Sequence, residues 1–205
     1  MNKHVIIYVR KPEAGKSKTR LGASIGYQQA AGVYARMLFF FLQDLLRAEA
    51  LRDFQITLSV ADEESADFFR AAYPEFRVAK QIQGGLGDRM KASFDEEFAL
   101  GAEAVVLTGS DIPLLDADRV TDAFARLETA QLVFGPAEDG GYFLVGMQHP
   151  GWDVFHDIPW STDVVLEMTK TQARALGLRS ALLPGTFDLD TVEEYKRWVE
   201  IIRNS

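Results

Sequence analysis

The sequence predicts an α/β fold: a single three-layer α/β/α domain, in which helices cover both faces of a mostly parallel mixed sheet. Short apolar runs that are typical of buried strands alternate with longer segments of helical periodicity, and this alternation is the pattern of βαβ units. No internal repeat, low-complexity tract or linker interrupts the 205 residues, so we expect one domain over residues 1–205.

The strands are predicted from short runs rich in β-branched and aromatic residues. The first, residues 5–9, is an unbroken apolar run of the kind that is buried on both faces of a sheet. The others are predicted at 54–60, 76–79, 104–108, 132–134 and 142–145. The last two flank a short polar loop around residues 138–141, where we expect an antiparallel strand.

The helices are predicted from apolar residues at helical spacing. Residues 10–22 are predicted to be a loop, and Asp62 is expected to cap the helix that continues over 65–72. The glycine loop 84–87 is predicted to open a helix that runs to about Leu100. The remaining helices are predicted at 27–50, 116–127, 162–176 and 191–202.

Composition narrows the possible functions. Apolar residues make up 47% of the chain, which is enough for a substantial core. The formal net charge of -8 argues against general affinity for nucleic acid, because no excess of Lys and Arg is available to neutralise phosphates. The chain has no cysteine, which excludes disulfides and cysteine-ligated metals. The apolar run at 5–9 is too short for a signal peptide or a membrane span, so we expect a cytoplasmic protein.

The loop after the first strand is the most unusual segment. Residues 11–21 read KPEAGKSKTRL and place four cations beside one glycine. Backbone N–H groups in such a loop bind phosphate oxygens, and Lys or Arg neutralises their charge. The alternative is a solvated basic loop, whereas a P-loop is not indicated because Arg10 stands where that motif needs glycine. The candidate phosphate ligands are Lys11, Gly15, Lys18, Thr19 and Arg20, of which Lys18 and Arg20 are also candidate catalytic residues.

Acidic residues follow a buried strand and precede the last helix. Asp111 comes just after the strand at 104–108, while Asp188 and Asp190 lie two residues apart. Mg²⁺ and Mn²⁺ prefer carboxylates and often grip substrate phosphates, so these three aspartates are the candidate metal ligands. Asp111 could instead stabilise a turn before a proline, and Asp190 or Thr191 could cap the last helix.

The polar loop at residues 138–142 combines carboxylates with two glycines. Glu138 or Asp139 could accept a proton from an attacking hydroxyl or hydrogen-bond a sugar, and both are candidate catalytic residues. The alternative is a hairpin turn, for which an Asp-Gly pair is a strong signal. The candidate acceptor or sugar ligands are Glu138, Asp139, Gly140, Gly141, Tyr142 and Trp160.

Weaker signals lie in the glycine loop and at the tryptophan. Gly87 could contact a base or ribose and Arg89 a phosphate, or the loop could be an ordinary turn with Asp88 as a helix cap. Trp160 could stack on a ligand or serve as a partly buried anchor. The three histidines lack metal-ligand spacing, so we expect surface or packing roles for them.

Six motifs in order resemble one protein family. They are Lys11-Pro12-x-x-Gly15-x-x-Lys18-Thr19-Arg20-Leu21, Gly87-x-Arg89-Met90, Gly109-Ser110-Asp111-Ile112-Pro113, Glu138-Asp139-Gly140-Gly141-Tyr142, Trp160-Ser161-Thr162 and Asp188-x-Asp190-Thr191. This set resembles the bacterial DUF2064 family, also called selenodomain-associated transferase 1. That family belongs to the nucleotide-diphospho-sugar transferase superfamily, so the resemblance implies the GT-A fold.

The resemblance also implies roles for several residues. The first loop would hold nucleotide phosphates, Asp111 would bind the divalent metal, and Asp188 or Asp190 would complete the metal site. Two departures matter. Gly109 replaces the first acid of the Asp-x-Asp pair common in glycosyltransferases of this fold, and Pro12 and Glu13 interrupt the glycine-rich first loop of its nucleotidyltransferases.

Three functions are therefore open. The first is Mg²⁺- or Mn²⁺-dependent glycosyl transfer from a nucleotide-sugar to a small-molecule acceptor, in which the metal stabilises the leaving diphosphate. The second is nucleotidyl transfer from an NTP to a phosphorylated or anionic acceptor, largely by positioning and electrostatics. The third is a non-catalytic nucleotide-binding protein. The sequence does not specify the base, the acceptor or the oligomeric state.

Overall fold

A computed structural model describes residues 1–204 and contains seven strands and seven α-helices over that range. The strands are β1 (Lys3–Tyr8), β2 (Gln55–Val60), β3 (Arg77–Lys80), β4 (Ala104–Gly109), β5 (Leu132–Pro136), β6 (Tyr142–Met147) and β7 (Ser180–Leu182). The helices are α1 (Thr19–Ile25), α2 (Tyr27–Arg47), α3 (Glu63–Ala72), α4 (Leu86–Ala99), α5 (Ala117–Leu127), α6 (Val165–Ala175) and α7 (Val192–Asn204).

The strands form one mixed sheet in the order β3-β2-β1-β4-β6-β5-β7. Strand β6 runs antiparallel to both β4 and β5, and the other described pairings are parallel. The predicted mostly parallel mixed sheet, with an antiparallel strand at the polar loop, is confirmed. Because β6 runs against its neighbours, its first residue, Tyr142, lies at the same edge as the carboxyl ends of β1 and β4.

Helices pack on both faces of this sheet, as the sequence predicts. Val5 and Ile7 of β1 lie in the core that contains buried residues of α2, α3 and α5. Ile6 points to the other face, where α4 and α6 supply Phe94 and Ala173. Successive side chains of a strand alternate between faces, so the unbroken apolar run of β1 serves two cores.

Two elements differ from the prediction. Helix α1 begins at Thr19, inside the segment predicted as a loop, because Leu21 is buried with residues of α2 and α7. A helix of seven residues is stabilised by such packing rather than by its own propensity. Strand β7 was not predicted: it is a three-residue strand whose backbone pairs with β5, and so short a run carries no periodic signal.

The helix starts follow local rules. Asp62 accepts a hydrogen bond from the backbone N–H of Ser65 and caps α3, as predicted. At α4 the capping residue is Gly85 rather than Asp88, and the Asp88 carboxylate accepts from the Gly85 N–H instead. Among residues 1–204, no helix combines the length and apolar character needed to cross a membrane.

A buried charged cluster joins the amino ends of β1 and β3 to α4. His4 and Glu97 are 0% and 2% exposed, and His4 Nδ1 lies 2.7 Å from Glu97 Oε2. Arg77 donates to the other oxygen, Glu97 Oε1, at 2.7 Å and also contacts Glu96. Glu97 is thus a buried carboxylate that is held by two partners.

Removal of this carboxylate should be costly because His4 and Arg77 would lose their shared partner. We expect Glu97→Ala to lower the free energy of unfolding by about 3–5 kcal/mol. The neighbouring Glu96→Ala removes an exposed contact to the same arginine and should cost at most about 1 kcal/mol. Urea denaturation of both variants checks this, and equal losses would contradict it.

Candidate active site

A cavity of about 660 Å³ opens at the carboxyl edge of the sheet. Its walls come from the loop after β1, the turn after β4, the β5–β6 hairpin, the start of α4 and the segment before α7. Ligands of open α/β sheets bind at this edge. Eleven of the candidate site residues line the cavity: Lys18, Thr19, Arg20, Arg89, Asp111, Asp139, Gly141, Tyr142, Trp160, Asp188 and Asp190.

Lys18 lies at the centre of the polar wall. Its Nζ is 2.9 Å from Asp190 Oδ1 and 3.5 Å from Asp111 Oδ2, and its side chain is only 5% exposed. The same ammonium donates to the backbone carbonyl of Asp111 at 3.4 Å. One lysine therefore joins the turn after β4 to the segment before α7.

The backbone of the first loop directs Lys18 inward. Lys18 has φ 49° and ψ 50°, the left-handed conformation, and is the residue that precedes α1. The preceding Ser17 is buried, and its hydroxyl donates to the Lys11 carbonyl and accepts from the Glu13 N–H. A left-handed non-glycine residue is costly and often marks a functional site.

Hydrogen bonds from α2 hold the carboxyl ends of β1 and β4 together. The Tyr34 hydroxyl lies 2.7 Å from Ser110 Oγ and accepts from the Arg10 N–H, while Ser110 Oγ donates to the Tyr8 carbonyl. Burial raises the pKa of Tyr34, so this hydroxyl stays neutral. The network fixes Ser110 immediately before Asp111.

Asp188 carries the most perturbed carboxyl group of the site. Its pKa is raised to about 7, first by burial and then by the negative charges of Asp111, Asp139 and Asp190, against the opposing effect of Lys18. The backbone brings it here because the Leu189 N–H donates to the Asp111 carbonyl at 3.2 Å. The carboxylates thus exceed what one ammonium neutralises.

The cap of α7 leaves Asp190 free for Lys18. Thr191 Oγ1 accepts from the Glu194 N–H, while Glu194 Oε2 accepts from the backbone N–H groups of Asp190 and Thr191. This is the capping box Thr191-x-x-Glu194. Of the two capping patterns in the sequence, the structure forms the one that does not use the Asp190 side chain.

The chemistry of these oxygens fits a divalent metal only in part. Among residues 1–204, no three or more His, Asp and Glu side chains converge closely enough to hold an ion by themselves. Mg²⁺ commonly takes one or two carboxylates, with water and substrate phosphates as its other ligands. Asp111, with Asp188 or Asp190, fits that smaller donor set.

The hairpin between β5 and β6 presents Asp139 to the cavity. The Ala137 N–H donates to the Gly141 carbonyl and the Gly140 N–H to the Ala137 carbonyl, so the predicted hairpin turn is present. The Asp139 carboxylate accepts from the Gly141 N–H at 2.9 Å. Residues 138–141 therefore form the hairpin turn and also place Asp139 in the cavity lining, so the two alternatives are compatible.

Glu138 lies on the other side of the same turn. Both of its oxygens accept from Arg197 of α7, at 2.7 and 2.9 Å, and this pairing lowers its pKa. Glu138 is exposed and does not line the cavity. Asp139 is thus the carboxylate of this loop that lines the cavity.

Aromatic residues form the wall next to this hairpin. Tyr142 and Trp160 lie edge to face with ring centroids 6.3 Å apart, and both line the cavity. Gly87 contributes by packing, because a Cβ there would come within 3.0 Å of Trp160 Nε1 and 2.9 Å of the Phe155 carbonyl oxygen. Trp160 is thus both an anchor against α4 and a wall of the cavity.

Arg89 of α4 is held in place by Gln81, the residue after β3. It donates to Gln81 Oε1 at 3.0 Å, and Gln81 donates in turn to the Ser59 carbonyl. Gln81 and Arg10 also line the cavity, although neither is a predicted site residue. Both follow the carboxyl end of a strand, which is the signal that could have found them.

Several residues of the first loop lie away from the cavity lining. Lys11 pairs with Glu64 of α3, and Gly15 is an exposed left-handed turn residue with φ 80°. Thr19 and Arg20 of α1 line the cavity, as does Lys16. The cations of the basic loop therefore lie in two places. The candidate catalytic residues Lys18 and Arg20 line the cavity, whereas Lys11 does not.

Comparison with known families identifies the chain. Residues 44–162 match the family described as "Uncharacterized protein conserved in bacteria (DUF2064)". The chain belongs to the DUF2064 family. The matched segment includes Asp111, the 138–142 loop and Trp160 of the site, while Lys18 and Asp188 lie outside it.

Solved structures extend the likeness over the whole DUF2064 chain. A proposed nucleotide-diphospho-sugar transferase from Desulfovibrio desulfuricans is 33% identical, with all of this chain and 90% of that chain covered and a TM-score of 0.91. No curated protein matches. The fold is that of the nucleotide-diphospho-sugar transferases, which confirms the predicted GT-A type.

More distant structures share the fold alone. A 4-diphosphocytidyl-2C-methyl-D-erythritol synthase from Anaerococcus prevotii is 10% identical, with 98% of this chain and 96% of that chain covered and a TM-score of 0.63. A CMP:2-keto-3-deoxy-manno-octonic acid synthetase, solved with CTP, is 11% identical over the full length of both chains with a TM-score of 0.58.

The hairpin turn depends on a glycine. Gly140 has φ 86°, its carbonyl accepts from the Leu166 N–H, and a Cβ there would lie 2.0 Å from the Asp163 carbonyl oxygen. Gly140→Ala should therefore destabilise the protein more than Gly177→Ala, which shares a positive φ but has open space around it.

The left-handed backbone alone should cost each alanine variant about 1–2 kcal/mol. Urea denaturation gives the loss in free energy of unfolding for both variants. The amount by which the loss in Gly140→Ala exceeds that in Gly177→Ala measures the contact with the segment before α6. Equal losses in the two variants would show that the segment before α6 moves away from the added methyl group without loss of stability.

Proposed function

We propose that the chain is a divalent-metal-dependent transferase that uses a nucleotide-sugar donor and a small-molecule acceptor. The observation that carries the proposal is the cavity itself, where Lys18 lies between Asp111 and Asp190 at the carboxyl edge of the sheet. The 33% identical relative described as a proposed nucleotide-diphospho-sugar transferase supports the same class of donor.

The polar wall suits a diphosphate. Lys18, Arg20 and Lys16 are cations of the first loop that line the cavity, and Arg10 and Arg89 add two more. Lys and Arg bind phosphate oxygens through charge-assisted hydrogen bonds. On an acidic protein of net charge -8, this local group of cations favours a phosphate-containing ligand at this edge.

The proposed metal ligands are Asp111 with Asp188 or Asp190. When bound, Mg²⁺ or Mn²⁺ would neutralise charge on the diphosphate leaving group. Burial is the main cause of the raised pKa of Asp188, and the negative charges of Asp111, Asp139 and Asp190 add to it against the opposing effect of Lys18. This group of neighbouring carboxylates supports a cation here.

The acceptor would bind on the hairpin side of the cavity. Tyr142 and Trp160 offer apolar faces on which a sugar or other ring can stack. Asp139, which lines the same wall, would hold or deprotonate the attacking hydroxyl. Donor and acceptor would thus meet at the boundary between the cationic and aromatic walls.

Nucleotidyl transfer is the second candidate. Because Glu138 pairs with Arg197, Asp139 is the one carboxylate of that loop that lines the cavity. A single carboxylate is compatible with nucleotidyl transfer, since an anionic acceptor is already ionised and needs no strong protein base. The products separate the two reactions: glycosyl transfer releases a nucleoside diphosphate, whereas nucleotidyl transfer from an NTP releases pyrophosphate.

A thermal-shift screen of NTPs, nucleoside diphosphates and nucleotide-sugars, with and without Mg²⁺ or Mn²⁺, tests nucleotide and metal binding. A ligand at about 100 times its Kd should stabilise by roughly 2.7 kcal/mol, which shifts the Tm of such a chain by about 5–10 °C. We expect Asp111→Asn to abolish the metal-dependent part of the shift. A metal-dependent shift that survives in this variant would remove Asp111 from the metal site.

The two carboxylates of the hairpin should differ in their effect on turnover. We expect Asp139→Asn to lower kcat by about 10²–10⁴-fold if it is the general base, while Glu138→Gln should retain most activity because Glu138 contacts Arg197. Steady-state assay of both variants with the donor found in the screen checks this. Full turnover in Asp139→Asn would exclude the base role and favour nucleotidyl transfer.

A further inference from the structure

Lys18 lies between two of the proposed metal ligands, Asp111 and Asp190. Its ammonium contacts Asp190 Oδ1 at 2.9 Å and Asp111 Oδ2 at 3.5 Å, and it is far more buried than either carboxylate, at 5% exposure against 43% and 48%. The two aspartates therefore turn part of their oxygen surface toward the cavity and part toward a buried cation.

The same carboxylates are the metal ligands of the proposed function, on which this inference rests. An ammonium that already takes one oxygen of Asp190 and approaches one of Asp111 competes with a divalent ion for those oxygens. The two cations also repel each other, and the repulsion between like charges rises steeply at separations of a few ångströms in a partly buried site.

We propose that Lys18 couples metal binding to phosphate binding, so that the site holds a divalent ion tightly only when a diphosphate is present. A diphosphate in the cavity offers Lys18 alternative oxygens and supplies further ligands to the metal. Lys18 is thus a positioning residue that lowers affinity for the metal alone and raises affinity for the metal together with its phosphate ligand.

Two features of the structure support this coupling. No three carboxylate or imidazole groups within residues 1–204 converge into a metal site of their own, so phosphate oxygens would have to complete the coordination. Lys18 is also anchored by the backbone carbonyl of Asp111 and by its left-handed position before α1, which keep its ammonium next to the carboxylates.

The coupling makes an unusual prediction for the removal of a basic residue. Lys18→Met keeps the length of the side chain and removes its charge, so both carboxylates become free for the ion. We expect this variant to bind Mn²⁺ alone about tenfold or more tightly than the wild type, within the usual range of coupling between two ligands. A change of the opposite sign would be expected if Lys18 only maintained the structure of the site.

The measurement is Mn²⁺ binding by water proton relaxation, with and without pyrophosphate as the diphosphate probe. In the wild type, pyrophosphate should tighten Mn²⁺ binding at least about fivefold, and Lys18→Met should lose most of this dependence. Lys18→Arg retains the charge and should bind Mn²⁺ alone as weakly as the wild type. Lys91→Met is the matched control, because Lys91 of α4 pairs with Asp95 and does not line the cavity.

The outcomes separate this inference from the proposed function. Equal or weaker Mn²⁺ binding by folded Lys18→Met, or wild-type binding that pyrophosphate does not change, overturns the coupling. The wild-type arm needs no variant, so an absence of pyrophosphate dependence there overturns the coupling even if Lys18→Met fails to fold. If Asp111→Asn leaves Mn²⁺ binding unchanged, the ion binds elsewhere, and the proposed metal site fails together with the inference.

Discussion

The contacts of Lys18 with Asp111 and Asp190 organise the candidate site. They join three segments that are distant in the chain: the loop after β1, the turn after β4 and the segment before α7. The ammonium is nearly buried, so its charge is screened less than that of a surface lysine. Burial, and then the charges of the nearby aspartates, raise the pKa of the neighbouring Asp188 to about 7.

The antiparallel strand β6 divides the cavity into two chemically different walls. Parallel strands β1 and β4 deliver cationic and acidic loops at their carboxyl ends. Strand β6 begins at that same edge and delivers Tyr142, with Asp139 in the turn before it. A single reversal of strand direction thus places the aromatic wall beside the wall of cations and carboxylates.

Two backbone positions near the site adopt left-handed conformations. Lys18 adopts a left-handed conformation, and Gly140 closes against the Asp163 carbonyl in space that no side chain could share. Such positions are held by their surroundings rather than by local preference. The capping box of α7 holds the backbone N–H groups of Asp190 and Thr191 beside the site, whereas the buried His4–Glu97–Arg77 cluster lies at the amino ends of the strands.

The sequence by itself determined the fold class and most elements, because strand burial, helix periodicity and turn residues are local signals. It also determined that Asp111 and the first loop belong to the same set of family motifs. It did not determine α1 or β7, which depend on packing and on pairing with distant strands. Only the tertiary structure separated Asp139 from Glu138 and Lys18 from Lys11. Neighbouring residues of one loop point in different directions, and their partners, Arg197 and Glu64, lie 59 and 53 residues away in the chain.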